Sequence, residues 1–102
     1  MTTLLKGKRV VITGAARGLG FDFSCAALDA GATVLMVDIL ADLLVEKAVK
    51  LQAKGFPVDY ITADLSQPSS IEGVSAWVET HWQSVDGLIN CAALATGVGG
   101  VD

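Results

Sequence analysis

The apolar run Val10-Val11-Ile12 passes without a spacer into Thr13-Gly14-Ala15-Ala16-Arg17-Gly18-Leu19-Gly20, and the alanine-rich segment 21–30 follows at once. A strand, a glycine turn and a helix in that order confine the chain to folds in which the turn caps the carboxyl end of a strand. Glycine is required where φ is positive or where no Cβ can stand between backbone and ligand, and three glycines in the seven residues 14–20 point to close approach. The start of the following helix supplies free N–H groups and a partial positive charge, which together suit a phosphate. A tight turn with no ligand would use the same residue types, so the rest of the chain has to decide between the two readings.

The 102 residues suffice for one domain with a core and not for two. Although 52% of them are hydrophobic, no apolar run approaches the roughly 18 residues of a spanning helix. The apolar excess therefore fits parallel strands covered on both faces and helices built from small residues. Lys6, Lys8 and Arg9 imitate the basic start of a signal peptide, but Thr13-Gly14 interrupts the apolar run after three residues. The expected location is the cytoplasm, with no membrane partner. A net charge of -4 with seven dispersed basic residues argues against a nucleic-acid footprint. Cys25 and Cys91 lack metal-ligand spacing and are expected to be reduced, small and buried; no metal site is expected.

Hydrophobic spacing predicts strands over residues 8–13, 34–37, 58–62 and 86–90. Helices are predicted over 18–30, 41–54 and 68–83. In the first helix Leu19, Phe23, Ala27 and Ala30 form the expected apolar stripe, and Gly31 stops it. Leu44, Ala48 and Leu51 mark the second, with Glu46 and Lys50 paired on its solvated side. Ser66 is the expected N-cap of the third, whose stripe is Ile71, Val74, Val78 and Trp82. The pattern βαβαβαβ implies an α/β fold, a doubly wound Rossmann-like parallel sheet with right-handed crossovers and strand order 3-2-1-4. Ligands of such sheets bind outside the carboxyl ends, where Gly14, Asp38, Asp64 and Asn90 all stand.

The spacing Thr-Gly-x-x-x-Gly-x-Gly, Asp38 after the second strand, Asp64-Leu65 after the third and Asn90-Cys91-Ala92-Ala93 after the fourth resemble the short-chain dehydrogenase/reductase family. The resemblance spans essentially the whole chain in the right order. It implies that Gly14, Arg17, Gly18, Leu19 and Gly20 line the pyrophosphate of a nicotinamide dinucleotide. Asp38, at position 38 − 14 = 24 after Gly14, would accept hydrogen bonds from the adenosine ribose hydroxyls. A carboxylate there repels a 2′-phosphate, which favours NAD over NADP; Arg17, where NADP-preferring members often carry a basic residue, pulls the other way. Ile39, Asp64 and Leu65 would surround the adenine, and the backbone of Asn90 and Ala92 would pass the nicotinamide-side ribose. Ile39 could equally be core, and Asp64 could equally cap the following helix. Cys91 and Ala93 depart from the family's Asn-Asn-Ala-Gly pattern while keeping small residues there. Asp22, near the start of the first helix, is expected to face solvent, and His81 is expected on the surface.

The family's chemistry needs a serine and a tyrosine with a lysine four residues on. The single tyrosine, Tyr60, is followed at that position by Asp64, and no other Tyr-x-x-x-Lys occurs. General acid/base catalysis therefore has no local agent, and residues 1–102 are expected to be the N-terminal, cofactor-binding portion of a longer enzyme. That enzyme would oxidise or reduce a small alcohol or carbonyl substrate, and the resemblance implies a homo-oligomer. In isolation the fourth strand is expected to carry an open edge prone to association. A catalytically inert dinucleotide-binding module is the rival from another class. A Rossmann-like methyltransferase is disfavoured by the 13–20 spacing and by residues 90–93.

Overall fold

The computed structural model describes residues 4–91. Its elements run β1 (Arg9–Thr13), α1 (Gly18–Asp29), β2 (Thr33–Asp38), α2 (Ala41–Ala53), β3 (Val58–Thr62), α3 (Pro68–His81) and β4 (Gly87–Asn90). All strand pairs are parallel and the sheet order is β3-β2-β1-β4, as expected for a doubly wound sheet. Element ends differ from the sequence-based bounds by at most two residues, the fraying range in which any helix or strand end is ambiguous.

Alternation along the strands sends side chains to two faces. Val10, Ile12, Val34, Met36 and Val58 share a core with Ala27 and Leu28 of α1 and Leu44, Ala48 and Leu51 of α2. Val11, Leu35 and Val37 point the other way, beneath Trp82, with Val74, Trp77 and Val78 of α3 packed beside them. The α1 stripe matches the expected one at Ala27 and Ala30, which are buried, and differs from it in the first turns. Leu19 and Phe23 are exposed, and Gly20, Ser24, Ala27 and Leu28 form the buried face. The spacing was helical, but the phase was set by the small residues that let α1 approach the sheet rather than by the larger apolar ones. On α2 the predicted residues Leu44, Ala48 and Leu51 are the buried ones, and the Glu46–Lys50 pair forms at 3.3 Å.

The entry to α3 is also corrected. Gln67, not Ser66, holds the N-cap position, and its side chain forms no capping bond. Ser66 instead donates both its N–H and its hydroxyl to Asp64 Oδ1, at 3.0 and 2.6 Å. The crossover from α3 back to the sheet is fastened at the opposite end of β1. Arg9 N donates to Asp86 Oδ2, Asp86 N donates to Arg9 O, and the Arg9 guanidinium donates to the Trp82 carbonyl.

Cys91 is buried as expected, whereas Cys25 is only half-buried, and both are free thiols. Burial pushes each thiol above its ordinary range, at Cys25 with help from Asp29 and Asp22. No described helix is long and apolar enough to cross a membrane.

Candidate functional site

The register of the sheet builds one rim. Thr13 lies beside Val37 on one side and Asn90 on the other, and Asp38 lies beside Thr62. The turns after β1, β2 and β3 therefore open on the same side as Asn90, bringing together residues separated by up to 76 positions in the chain (90 − 14).

The glycine turn is shaped by backbone demands. Gly14 and Gly18 have φ of 66° and 59°, in the left-handed region that other residues avoid. A Cβ on Gly20 would fall on the backbone carbonyl of Gly14, so the start of α1 sits against the turn with no room for a side chain. Between these glycines Arg17 is extended at the N-cap and exposed, and its side chain makes no hydrogen bond or ion pair among the described residues. Leu19 is 60% exposed beside it. The α1 N-terminus thus faces outward with donors that its own helix cannot use.

Asp38 ends β2 with only 9% of its surface exposed. Its Oδ2 accepts from the Ala16 N–H at 2.9 Å and its Oδ1 from the Leu40 N–H at 3.1 Å. Ile39, 57% exposed, is part of the rim and not of the core. Asp64, at the next strand end, forms an Asx turn with Ser66, and the two Ser66 hydrogen bonds, the hydroxyl's first, hold its carboxyl below the ordinary 3.8. Asp64 stands on the rim but does not cap α3, whose N-cap is Gln67; its carboxylate organises the turn before the helix. Leu65 packs at the edge of the cluster around Val11, Leu35 and Trp82. Asn90 accepts from the Thr13 hydroxyl at 2.7 Å, locking the ends of β1 and β4 together. Ala92 lies outside the described residues.

Several contributors carry no motif signature. The Ala15 and Ala16 amides bind β2, at the Val37 carbonyl and the Asp38 carboxylate respectively, and Ser24 Oγ donates to the Gly20 carbonyl. Alanines and a mid-helix serine look like filler in a sequence, and only their positions in three dimensions show what they hold. His81 is exposed as expected, stacked on Trp77 with ring centroids 4.2 Å apart and Nδ1 against the Trp77 carbonyl at 2.9 Å. Asp22 is exposed as expected. Tyr60 lies in β3, half-buried against the α1/α2 core. Among the described residues no cluster of His, Cys, Asp or Glu could hold a metal ion.

The rim fits a dinucleotide: a side-chain-free cradle at Gly20, outward helix donors, a carboxylate held in place at a strand end, and the exposed apolar residues Leu19 and Ile39. Residues 8–101 match the family model described as short chain dehydrogenase. A 1-deoxy-11-beta-hydroxypentalenate dehydrogenase of Streptomyces exfoliatus is 35% identical over 95 residues, which are 93% of this chain and 34% of that protein. Among solved structures, a short chain dehydrogenase/reductase from Burkholderia phymatum in complex with NAD superposes with a TM-score of 0.79 at 25% identity, covering 83% of this chain and 30% of that one. L-sorbose reductase from Gluconobacter frateurii, complexed with NADPH and L-sorbose, gives 0.80 at 29% identity, covering 86% and 34%. The chain spans about a third of the length of these relatives.

Proposed function

The chain belongs to the short-chain dehydrogenase family, and on that premise we propose that it is the cofactor-binding portion of an NAD-dependent oxidoreductase interconverting an alcohol and a carbonyl. The observation that carries the choice of NAD is Asp38, a carboxylate fixed at the end of β2 by two backbone amides. Fixed acceptors suit two ribose hydroxyls, and the same negative charge opposes a 2′-phosphate.

In this reading the backbone of Gly14, Gly18, Leu19 and Gly20 receives the pyrophosphate, with Arg17 adding positive charge above it. Ile39, Asp64 and Leu65 surround the adenine. Asn90 is held against Thr13 so that the backbone from Asn90 to Ala92 passes the nicotinamide-side ribose. The bound nicotinamide supplies the hydride acceptor or donor, and this chain's residues bind and orient it. Proton transfer to the substrate oxygen falls to residues other than those of this chain, because its lone tyrosine, Tyr60, is half-buried on the α1/α2 side and is followed four residues on by Asp64 where a lysine is required.

Calorimetric titration of the chain with NAD and with NADP tests the proposal. NAD is expected to bind at least about tenfold more tightly, the scale of one unmatched charged hydrogen bond. Equal affinities, or tighter NADP binding through Arg17, would overturn the choice of cofactor.

A further inference from the structure

Ribose recognition leaves one feature of Asp38 unexplained. An acid that served only the ribose would need a strand end and exposure, yet this carboxylate is almost wholly buried and turned toward the glycine turn. Its Oδ2 takes the Ala16 N–H, one residue beyond the Ala15 N–H that is bound to the Val37 carbonyl at 3.2 Å. Two consecutive amides of the turn are thereby strapped to two consecutive residues of β2. Ala15 and Ala16 are completely buried, so an Ala16 amide without that carboxylate would have no water to turn to. From the other side the turn rests on Gly20, whose carbonyl is held by Ser24. Each carboxylate oxygen has two acceptor positions, and one on each is used by an amide, which leaves one on each for a ribose hydroxyl.

We propose that Asp38 is a positioning residue for the phosphate turn, a role additional to ribose selection and one that rests on reading residues 13–20 as the pyrophosphate cradle. One carboxylate then serves both halves of the adenosine diphosphate. Removing it does not exchange NAD for NADP; it loosens the turn that both cofactors share. A switch of preference requires a replacement acceptor for the Ala16 amide as well as a cation for the 2′-phosphate.

The strap is tested by hydrogen exchange at the Ala16 amide, followed by NMR on the chain without cofactor, in the unaltered protein, Asp38→Ala and Asp38→Asn. Asp38→Ala is expected to speed Ala16 exchange by at least about tenfold, the loss of one buried hydrogen bond, with the strand amides of Val11 and Leu35 unchanged. Asparagine keeps one carbonyl acceptor and is expected to restore most of the protection, and it keeps the measurement possible should the alanine variant not fold. Titration of the same three proteins with NAD, NADP and inorganic pyrophosphate completes the test: Asp38→Ala weakens all three, pyrophosphate included, although pyrophosphate has no ribose. Unchanged Ala16 exchange, or NADP affinity that rises as NAD affinity falls, would overturn the proposal. If the unaltered chain binds none of the three ligands, the cradle reading fails, while the exchange result still decides whether the carboxylate holds the turn.

Discussion

The two faces of the sheet are built from strands of the same composition and finished to different standards. On the α1/α2 face thirteen buried residues form a continuous core reaching from Val10 to Val58. On the α3 face four do, Val11, Leu35, Val37 and Trp82, and α3 itself contains no fully buried residue. An open hollow of about 840 Å³ lies there, with Leu65, Ile71, Val74, Val78, Val85 and Leu88 among its apolar lining. Among the described residues β4 borders it as an edge strand bonded to β1 alone, and Leu88 is 66% exposed. The glycine turn and Asp38 belong to the finished side, where α1 is pressed against the turn. Support of the glycine turn therefore comes from the better-packed face.

The largest expected difference between the faces comes from truncating one apolar helix side chain on each. Leu44 is completely buried between α2 and the sheet, and Leu44→Ala should cost about 2–5 kcal/mol through lost burial and the cavity left behind. Val74 is half-buried at the hollow, and Val74→Ala should cost roughly 1 kcal/mol, since the neighbouring water already reaches part of it. Urea denaturation followed by circular dichroism reads both values. Equal costs would mean that the α3 face is as well packed as the other and that the comparison is wrong.

A second pair of substitutions should have opposite signs. A Cβ at Gly20 meets the Gly14 backbone, which no rotamer change can relieve, whereas a Cβ at Gly73, within α3, meets nothing within 4 Å. Gly20→Ala is expected to destabilise by about 1–3 kcal/mol through overpacking and to abolish NAD binding, because the obstacle is the turn itself. Gly73→Ala is expected to stabilise by roughly 0.5–1 kcal/mol, the helix propensity gained at an exposed interior position. Thermal melts of both variants, with an NAD titration of the first, check the pair. A neutral Gly20→Ala would remove the close approach on which the cradle argument stands.

This asymmetry also marks how far the sequence could be read. Element order, strand order and the rim of Gly14, Asp38, Asp64 and Asn90 were legible because each rests on a local signal: an apolar run, a glycine, an acid at a strand end. The α2 stripe was legible for the same reason. The α1 stripe was not, since spacing gives a helix's period while the sheet sets its phase, and here the sheet selected Gly20 and Ser24 over Leu19 and Phe23. Nor was the double engagement of Asp38 visible, because its partner is the amide of an alanine, and any residue but proline offers an amide. The clamp between Arg9, Trp82 and Asp86 joins positions 77 residues apart (86 − 9) and leaves no periodic trace at all.

The smallest expected effect separates the two rim carboxylates. Asp38 is buried in the finished side, while Asp64 stands on the approach to α3 and its carboxylate accepts from Ser66 in its own turn. Hydrogen bonds from the Ser66 hydroxyl and amide favour the charged form and lower its pKa from 3.8. A lowered carboxyl stabilises the folded state above its unfolded value, and the contribution is lost as the pH falls below 3.8 through the folded value. Asp64→Asn keeps an acceptor for Ser66 and removes the charge. The unaltered chain should therefore be slightly the more stable at pH 5, with the gap closing toward pH 3, as measured by urea midpoints of both proteins across that range. A gap that is constant with pH would assign the contribution of Asp64 to turn geometry alone, and one that widens toward pH 3 would reverse the sign of the argument. Asp38, on the better-packed side, contributes instead through acceptor oxygens that hold the Ala16 and Leu40 amides.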